Sequence, residues 1–334
     1  MYLGYYRLKE DPFSLTPNPD YLFLSEGHKE ALARIQFGIE MRKGFVVLTG
    51  DVGSGKTTLI RTYIKNQPPN QKISLIVNTR VTAKNLLQNI CKDFSIKADY
   101  PKLSKDSILN LLYEYILQSS FFGENLVVII DEAHDLGVTH LEEVRLLTNL
   151  ETNTNKLLQV VLVGQPELWD LLNTPELRAL KQRVQLQYHL EPLTFSDTKE
   201  YINHRLSLAG YKGKPLFTQE ALQEIFKISK GVPRVINVIC SNALALGYGK
   251  GIKKIDHIII KEVTKEFLPK TLPQEKKMFQ GKSDRQEIRE EKRLLPEKKL
   301  PRVWMILLFL SMFIILEFVI NILSQYVIKK FNLF

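Results

Sequence analysis

Short apolar runs and longer stretches with helical spacing alternate along the first part of the chain. The apolar runs predict strands at about residues 45–48, 73–77, 125–130, 157–163 and 184–190. Helical spacing between the runs predicts helices at about residues 58–63, 82–94, 105–119, 141–150 and 175–182. Strands that alternate with helices pair in parallel, because each crossover helix returns the chain to the same end of the sheet. The pattern therefore predicts an α/β fold with a five-stranded, mainly parallel sheet and helices on both faces.

The pattern changes after the predicted sheet. From about residue 196 to residue 267 strand patterns disappear and helical periodicity continues. We therefore expect an α/β domain at residues 1–192 and a small all-α domain at residues 193–268. Residues 269–302 are rich in Lys, Glu, Gln and Pro and poor in apolar residues, so they bury too little surface to offset the entropy of ordering. This segment is predicted to be a flexible linker or a solvated helix.

A long apolar segment follows the linker. Residues 303–316 contain Ser311 as their one polar residue, and the apolar trend continues to about residue 328. Because a bilayer core needs roughly 20 helical residues, residues 303–328 are predicted to form a transmembrane helix, with a short tail at residues 329–334. The alternative is an amphipathic helix docked on the protein or lying on a membrane surface.

Charge and cysteine content narrow the classes of function. The formal net charge is +10, and residues 270–302 hold eleven Lys and Arg against six Asp and Glu, so half of the excess lies in the linker. The net charge is therefore poor evidence for DNA binding, and nucleic acid is not expected as a partner. More basic residues precede the apolar segment than follow it, which predicts that the preceding domains lie in the cytoplasm. Cys91 and Cys240 have no metal-ligand spacing, so zinc and thiol chemistry have no support.

The most specific motif is G-x-x-x-x-G-K-T at residues 50–57. It follows a predicted strand and precedes a predicted helix, which is the context that a phosphate-binding loop requires. The glycines let backbone N–H groups face phosphate oxygens, and the helix N-terminus adds a positive field. The residues predicted to bind ATP are Gly50, Asp51, Val52, Gly53, Ser54, Gly55, Lys56, Thr57 and Thr58.

Two acidic residues follow the buried strand at residues 125–130. Lys56 is predicted to reach the β- and γ-phosphates, and Thr57 and Asp131 are predicted to hold Mg²⁺. Glu132 is placed to orient and deprotonate the attacking water. The following His134 is interpreted as a capping or packing residue. The letters DEAH also occur in helicases, but those need two nucleotide-type lobes and the sequence indicates one.

Taken together, these motifs resemble those of the AAA+ ATPases, and among them the ExeA-like (general secretion pathway protein A) family, which is related to the transposition ATPase TniB. The resemblance runs over roughly residues 1–268. Further segments that carry it are DPF at 11–13, TPNP at 16–19, LLTNLET at 146–152, VGQPEL at 163–168, LKQRV at 180–184 and GVPRVIN at 231–237.

The resemblance implies roles for four more residues. Gln165 matches sensor 1, a polar side chain that contacts the γ-phosphate or the attacking water; the alternative is a plain turn residue before Pro166. Arg183 matches an arginine finger that reaches a neighbouring subunit, with Arg178 as the nearby rival and a plain surface arginine as a further alternative. Arg234 matches sensor 2, which brings a guanidinium from the helical lid onto the phosphates. His28 and the segment at residues 12–19 are expected to line the adenine pocket.

The resemblance implies a membrane-anchored AAA+ ATPase that hydrolyses ATP with Mg²⁺ as a homo-oligomeric ring or partial ring. It would sit in the inner membrane with one span and drive or regulate assembly of an envelope secretion, pilus or polysaccharide-export machine. Family members often carry a peptidoglycan-binding domain beyond the membrane helix, and here the chain stops about six residues after residue 328, so direct peptidoglycan binding is not expected. The alternatives are a DNA-transaction ATPase of the transposition type and a nucleotide-gated scaffold with little hydrolysis.

Overall fold

A computed structural model describes residues 1–151 and 156–266. Within these ranges one five-stranded sheet has the strand order β2-β3-β4-β1-β5, and each neighbouring pair of strands is parallel. The α/β class predicted from the sequence is confirmed. The strands are β1 (Phe45–Gly50), β2 (Gln71–Ile76), β3 (Asn125–Ile130), β4 (Leu158–Gly164) and β5 (Val184–Leu190).

The three central strands are buried along their whole length because helices cover both faces of the sheet. Successive side chains of a strand point to opposite faces. In β3, Leu126 and Val128 pack into the core on one face, whereas Val127 and Ile129 pack into the core on the other. A strand buried in this way needs apolar residues at every position, and this explains the continuous apolar run at residues 125–130.

Helices fill the connections and continue beyond the sheet. The helices are α1 (Tyr2–Tyr5), α2 (Glu26–Glu40), α3 (Lys56–Lys65), α4 (Ala83–Asp93), α5 (Lys105–Phe121), α6 (Val138–Leu147), α7 (Glu167–Leu172), α8 (Arg178–Lys181), α9 (Phe195–Leu208), α10 (Gln219–Ser229), α11 (Pro233–Gly249) and α12 (His257–Glu266). Short 3-10 turns occur at Pro19–Tyr21, Tyr100–Lys102, Ala133–Asp135 and Pro175–Leu177.

Two of the predicted helices differ in detail from those observed. The predicted helix at residues 175–182 is a 3-10 turn followed by the short α8, because the N–H of Leu177 bonds to the carbonyl of Thr174, three residues back. The predicted helix at residues 141–150 begins earlier and ends at Leu147. Thr148 ends it by donating its hydroxyl to the carbonyl of Arg145 at 2.7 Å, a bond that competes with the helical ladder.

Helices α9 to α12 share a hydrophobic core of their own, which includes Ile202, Ile225 and Ile239. Tyr6 and Phe13 from the start of the chain pack into the same core. The N-terminal segment therefore runs from the helical region to α2 and the sheet. The domain limits at residues 192 and 268 stay predictions.

None of the helices in the described ranges is long and apolar enough to cross a membrane. The predicted linker at residues 269–302, the predicted transmembrane helix at residues 303–328 and the tail at residues 329–334 lie outside those ranges.

Candidate nucleotide-binding site

The carboxyl ends of three adjacent strands bring the predicted site residues together. The order β3-β4-β1 places the segment after β4 between the segments after β3 and β1. These segments carry Glu132, Gln165 and the loop at residues 50–57, respectively. Ligands of open parallel sheets bind at this edge, in the crevice between strand ends.

The loop after β1 has the backbone that phosphate binding requires. Gly53 and Gly55 have φ values of 80° and 103°, a left-handed conformation that side chains with a Cβ rarely adopt. Lys56 is buried at 6% exposure and donates to the carbonyls of Gly50 at 2.7 Å and Asp51 at 2.9 Å. Burial lowers the pKa of the Lys56 ammonium, and nearby carboxylates, with Glu132 first, oppose this shift. A triphosphate would supply this buried cation with negative charge.

Thr57 and Asp131 join the two motifs. The Thr57 hydroxyl donates to Oδ2 of Asp131 at 2.7 Å, and Asp131 is only 2% exposed. The other carboxylate oxygen, Oδ1, accepts from the backbone N–H of Glu132 at 3.0 Å. A hydroxyl and a carboxylate at the entrance of a phosphate loop are oxygen donors that Mg²⁺ accepts. The residues present therefore fit the predicted metal.

Glu132 stands in a strained position with an unused carboxylate oxygen. Its φ of 53° and ψ of 41° are left-handed, which costs about 1–2 kcal/mol for a residue with a Cβ. Its Oε2 is buried and has no hydrogen-bond partner among the residues described. Strained backbone and unsatisfied polar atoms concentrate at functional sites. The Glu132 side chain as a whole is 45% exposed, so its carboxylate can accept a hydrogen bond from a water molecule.

Gln165 contacts His134, a contact that the sequence motifs did not indicate. Nε2 of Gln165 lies 2.8 Å from Nε2 of His134, and Nδ1 of the same ring lies 3.5 Å from Oε2 of Glu132. The sequence interpretation of His134 as a capping or packing residue misses both contacts. The strand-end position of His134 was visible in the sequence, but its neighbour across the sheet was not.

A cavity of about 320 Å³ extends from the phosphate loop to the helical region. Lys56, Thr57 and Glu132 line one end, and Arg234 and residues of the N-terminal segment line the rest. Arg234 donates its backbone N–H to the carbonyl of Gly53 at 3.2 Å, which places the start of α11 directly against the loop. His28 also lines the cavity, and its Nε2 lies 3.2 Å from the carbonyl of Ser54.

Arg205, Tyr201 and Asn237 are among the lining residues to which the sequence analysis gave no role. Arg205 of α9 is buried and donates to the carbonyls of Pro12 and Ser14 and to the hydroxyl of Tyr201 at 3.0 Å. That hydroxyl donates to Oδ1 of Asn237 at 2.8 Å. Arg205 lies four residues after Tyr201, on the apolar side of α9. This position in the sequence could have indicated that Arg205 is buried. A buried guanidinium needs several acceptors, and here the N-terminal segment supplies two of them.

Arg183 lies away from the cavity residues. Its Nη1 donates to the carbonyl of Arg145 and to the hydroxyl of Thr148, both at 3.2 Å, and so caps the end of α6. The rival Arg178 is exposed at the start of α8. The role of either residue as a finger stays a prediction.

Comparison with known proteins, like the geometry of the site, indicates an AAA domain. Residues 39–172 match the family described as AAA domain. General secretion pathway protein A of Aeromonas hydrophila is 45% identical over 261 residues, which are 77% of this chain and 47% of that protein. The chain thus spans about half the length of this curated relative.

Solved structures show the same fold at low sequence identity. The ORC2 protein of Aeropyrum pernix, in its ADPNP-ADP complexes, matches with a TM-score of 0.57 and 16% identity, over 77% of this chain and 72% of that one. Cdc6p from Pyrobaculum aerophilum matches with a TM-score of 0.58 and 18% identity, over 74% of this chain and 68% of that one. At these identities the likeness shows the fold alone.

Proposed function

We propose that this chain, which matches the AAA domain over residues 39–172 and is similar to general secretion pathway protein A, binds and hydrolyses ATP. The hydrogen bond between Thr57 and Asp131 carries the proposal, because it unites the phosphate loop with the acidic strand end in one site. A phosphate loop alone would support binding only. The adjacent Glu132 adds a group that could act on water.

Each residue of the site has a distinct task in this proposal. The loop amides and Lys56 hold the phosphates, and the buried ammonium gains most from a negative ligand because water does not screen it. Glu132 orients the attacking water and accepts its proton, since its side chain is 45% exposed and lines the cavity beside the phosphate loop. Arg234 enters from the start of α11 and adds positive charge at the phosphates.

Mg²⁺ would be held by Thr57 and Asp131 and would neutralise charge on the phosphate oxygens when bound. The buried Asp131 carboxylate is fixed by the Thr57 hydroxyl and the Glu132 amide, so both oxygens are oriented before any ligand binds.

We further propose that the ATPase is anchored in the inner membrane by residues 303–328, with the AAA domain in the cytoplasm. It would act as an oligomer that drives or regulates assembly of an envelope machine for secretion, pili or polysaccharide export. The name of the Aeromonas relative supports the secretion assignment, and the apolar segment and its preceding basic residues support the anchor.

The test separates binding from chemistry. Glu132→Gln should bind ATP with nearly unchanged affinity and release phosphate roughly 10²–10⁴-fold more slowly, the range that a general base contributes. Lys56→Ala should weaken ATP binding itself by roughly 10- to 100-fold, because it removes a charged hydrogen-bond donor.

The exposed Glu176→Gln is the matched control, since it makes the same change of charge away from the cavity. A wild-type rate of phosphate release in Glu132→Gln would show that another group is the base. ATP binding by the native protein without any phosphate release would identify a nucleotide-gated scaffold.

A further inference from the structure

Asn237 lines the cavity one helical turn beyond Arg234. Both residues lie at the start of α11, and a separation of three residues places them on one side of the helix, about 4.5 Å apart along its axis. Arg234 bonds to Gly53 of the phosphate loop, so Asn237 lies farther from the loop along α11. Asn237 is 6% exposed, and Leu22 and Leu193 line the cavity with it. A buried amide thus reaches the cavity beyond its phosphate end.

Two buried neighbours determine which way this amide faces. The Arg205 guanidinium only donates, and its Nη1 donates to the Tyr201 hydroxyl at 3.0 Å. Burial raises the pKa of that hydroxyl above its ordinary value, so the hydroxyl keeps its hydrogen and donates it to Oδ1 of Asn237 at 2.8 Å. A flipped amide would leave the buried hydroxyl hydrogen without an acceptor, which costs free energy. The amide oxygen of Asn237 therefore faces Tyr201, and the amide nitrogen faces away from it.

The amide nitrogen of Asn237 has hydrogens left to donate. Nδ2 makes no hydrogen bond to any residue that the structure describes, and it is not one of the fully buried polar atoms of that part of the chain. Because the residue as a whole is buried and lines the cavity, the solvent that Nδ2 reaches is that of the cavity. Binding sites orient a ligand by a few polar groups placed in this way on a largely apolar wall.

We propose that Asn237 donates a hydrogen bond from Nδ2 to the nucleoside part of ATP, and that Tyr201 and Arg205 are positioning residues that hold the amide in this orientation. The inference rests on the proposed ATP binding. The ring nitrogens of the base and the oxygens of the ribose both accept hydrogen bonds, and either lies beyond the phosphates that the loop and Lys56 hold. A site with an oriented donor favours ligands that present an acceptor to it, because an unpaired partner would otherwise be buried.

The test compares three ligands that share a triphosphate, by titration calorimetry on the native chain with Mg²⁺. Asn237→Leu should weaken binding of ATP roughly 5- to 100-fold, because an acceptor of the nucleoside would be buried without a donor. Binding of inorganic tripolyphosphate, which has no nucleoside, should be unchanged. Ribose 5-triphosphate distinguishes the two acceptors. A loss of affinity for this ligand as well would place the contact on the ribose, and a loss confined to ATP would place it on the base.

Two further variants separate a ligand contact from a loss of structure. Asn242→Leu is the matched control, since that amide lies on the same helix but donates to the carbonyl of Val238 at 2.8 Å and does not line the cavity. It should leave all three affinities unchanged. Tyr201→Phe keeps the aromatic ring but leaves the amide free to turn, so it should lose part of the ATP affinity and none of the tripolyphosphate affinity. Added to Asn237→Leu, it should cause no further loss, because the group that it orients is already absent.

The outcomes that would overturn the inference differ from those that would overturn the proposed function. An equal loss for all three ligands in Asn237→Leu would show that the variant acts through the fold or the phosphates. Unchanged ATP affinity in Asn237→Leu would show that Nδ2 binds no part of the nucleoside. Losses that multiply in the double variant would overturn the role of Tyr201. A native protein that binds none of the three ligands would instead overturn the proposed ATP binding itself.

Discussion

His28 shows at the scale of one residue how the phosphate loop is supported from outside its own motif. The carbonyl of Ser54 only accepts, so Nε2 of His28 donates to it, and Nδ1 accepts from the Ser25 hydroxyl at 2.7 Å. Burial lowers the pKa of His28 below its ordinary value of 6.5. The neutral ring is therefore the form that connects the start of α2 to the loop.

The shifted pKa predicts how stability depends on pH. As the pH falls to about 6.5, His28 is protonated in the unfolded chain but stays neutral in the folded protein. The contribution of His28 to folding stability is therefore complete above pH 6.5 and is lost as the pH falls through the lower folded-state pKa. We expect the thermal midpoint of the native protein to fall between about pH 7.5 and about pH 5.5, and to fall less steeply in His28→Gln.

His204→Gln is the matched comparison, because burial also lowers the pKa of His204, while its ring does not line the cavity. Both variants should flatten the pH profile, but His28→Gln alone should weaken ATP binding. Equal ATP affinity in the two variants would show that the bond to Ser54 does not matter for the loop.

At the scale of elements, the turn before α11 connects the helical region to two loops of the sheet, the one after β5 and the one after β1. The carbonyl of Gly231 accepts from the N–H of Leu193, after β5, at 3.0 Å, and Arg234 bonds to Gly53 three residues further on. Gly231 has φ +80°, and a Cβ there would lie 1.9 Å from the carbonyl oxygen of Leu193. The approach of two backbone segments thus excludes any side chain.

Gly231→Ala should therefore destabilise the protein by more than the cost of a left-handed backbone at residue 231. Gly251 has φ +70° with open space around it, so Gly251→Ala should cost only about 1–2 kcal/mol of unfolding free energy for the left-handed backbone. Gly231→Ala should cost about 1–3 kcal/mol more, because Leu193 must move. Equal losses in denaturant unfolding would mean that the turn adapts without strain.

At the scale of the whole molecule, the proposed oligomer requires a residue that acts on a neighbour's nucleotide. Arg183 already binds the end of α6 in its own chain, whereas Arg178 is exposed and its side chain makes no hydrogen bond or ion pair within the described residues. An arginine that acts on the nucleotide of a neighbouring subunit must have a side chain that is not held by bonds within its own subunit. We therefore expect Arg178 to act on the neighbouring subunit and Arg183 to support α6.

Mixed oligomers can distinguish the two arginines. Arg178→Ala subunits mixed with Glu132→Gln subunits should recover part of the ATPase activity, since each supplies what the other lacks, and native activity per subunit should rise with protein concentration. Arg183→Ala should instead lower the thermal midpoint. Recovery with Arg183→Ala but not with Arg178→Ala would restore the assignment based on family resemblance. Activity independent of concentration, without recovery in either mixture, would indicate a monomeric enzyme.

Local patterns in the sequence were sufficient for the sheet and the phosphate loop. The run at residues 125–130 predicts a strand because a strand covered on both faces is apolar at every position, and β3 confirms it. The loop at residues 50–57 needs only its own backbone and the flanking strand and helix. The resemblance to general secretion pathway protein A is confirmed for the same reason, since it rests on short segments of adjacent residues.

Contacts between segments far apart in the chain were decided only by the tertiary structure. His134 meets Gln165 because β3 and β4 are neighbours in the sheet, and Arg205 meets Pro12 because the N-terminal segment packs with α9. Strand order and the docking of helices depend on which apolar surfaces bury each other. The pattern of apolar positions shows which face of an element is buried, but not which other element covers it. The sequence therefore identified the groups proposed to contact ATP, and the tertiary structure showed which side chains and backbone groups they meet.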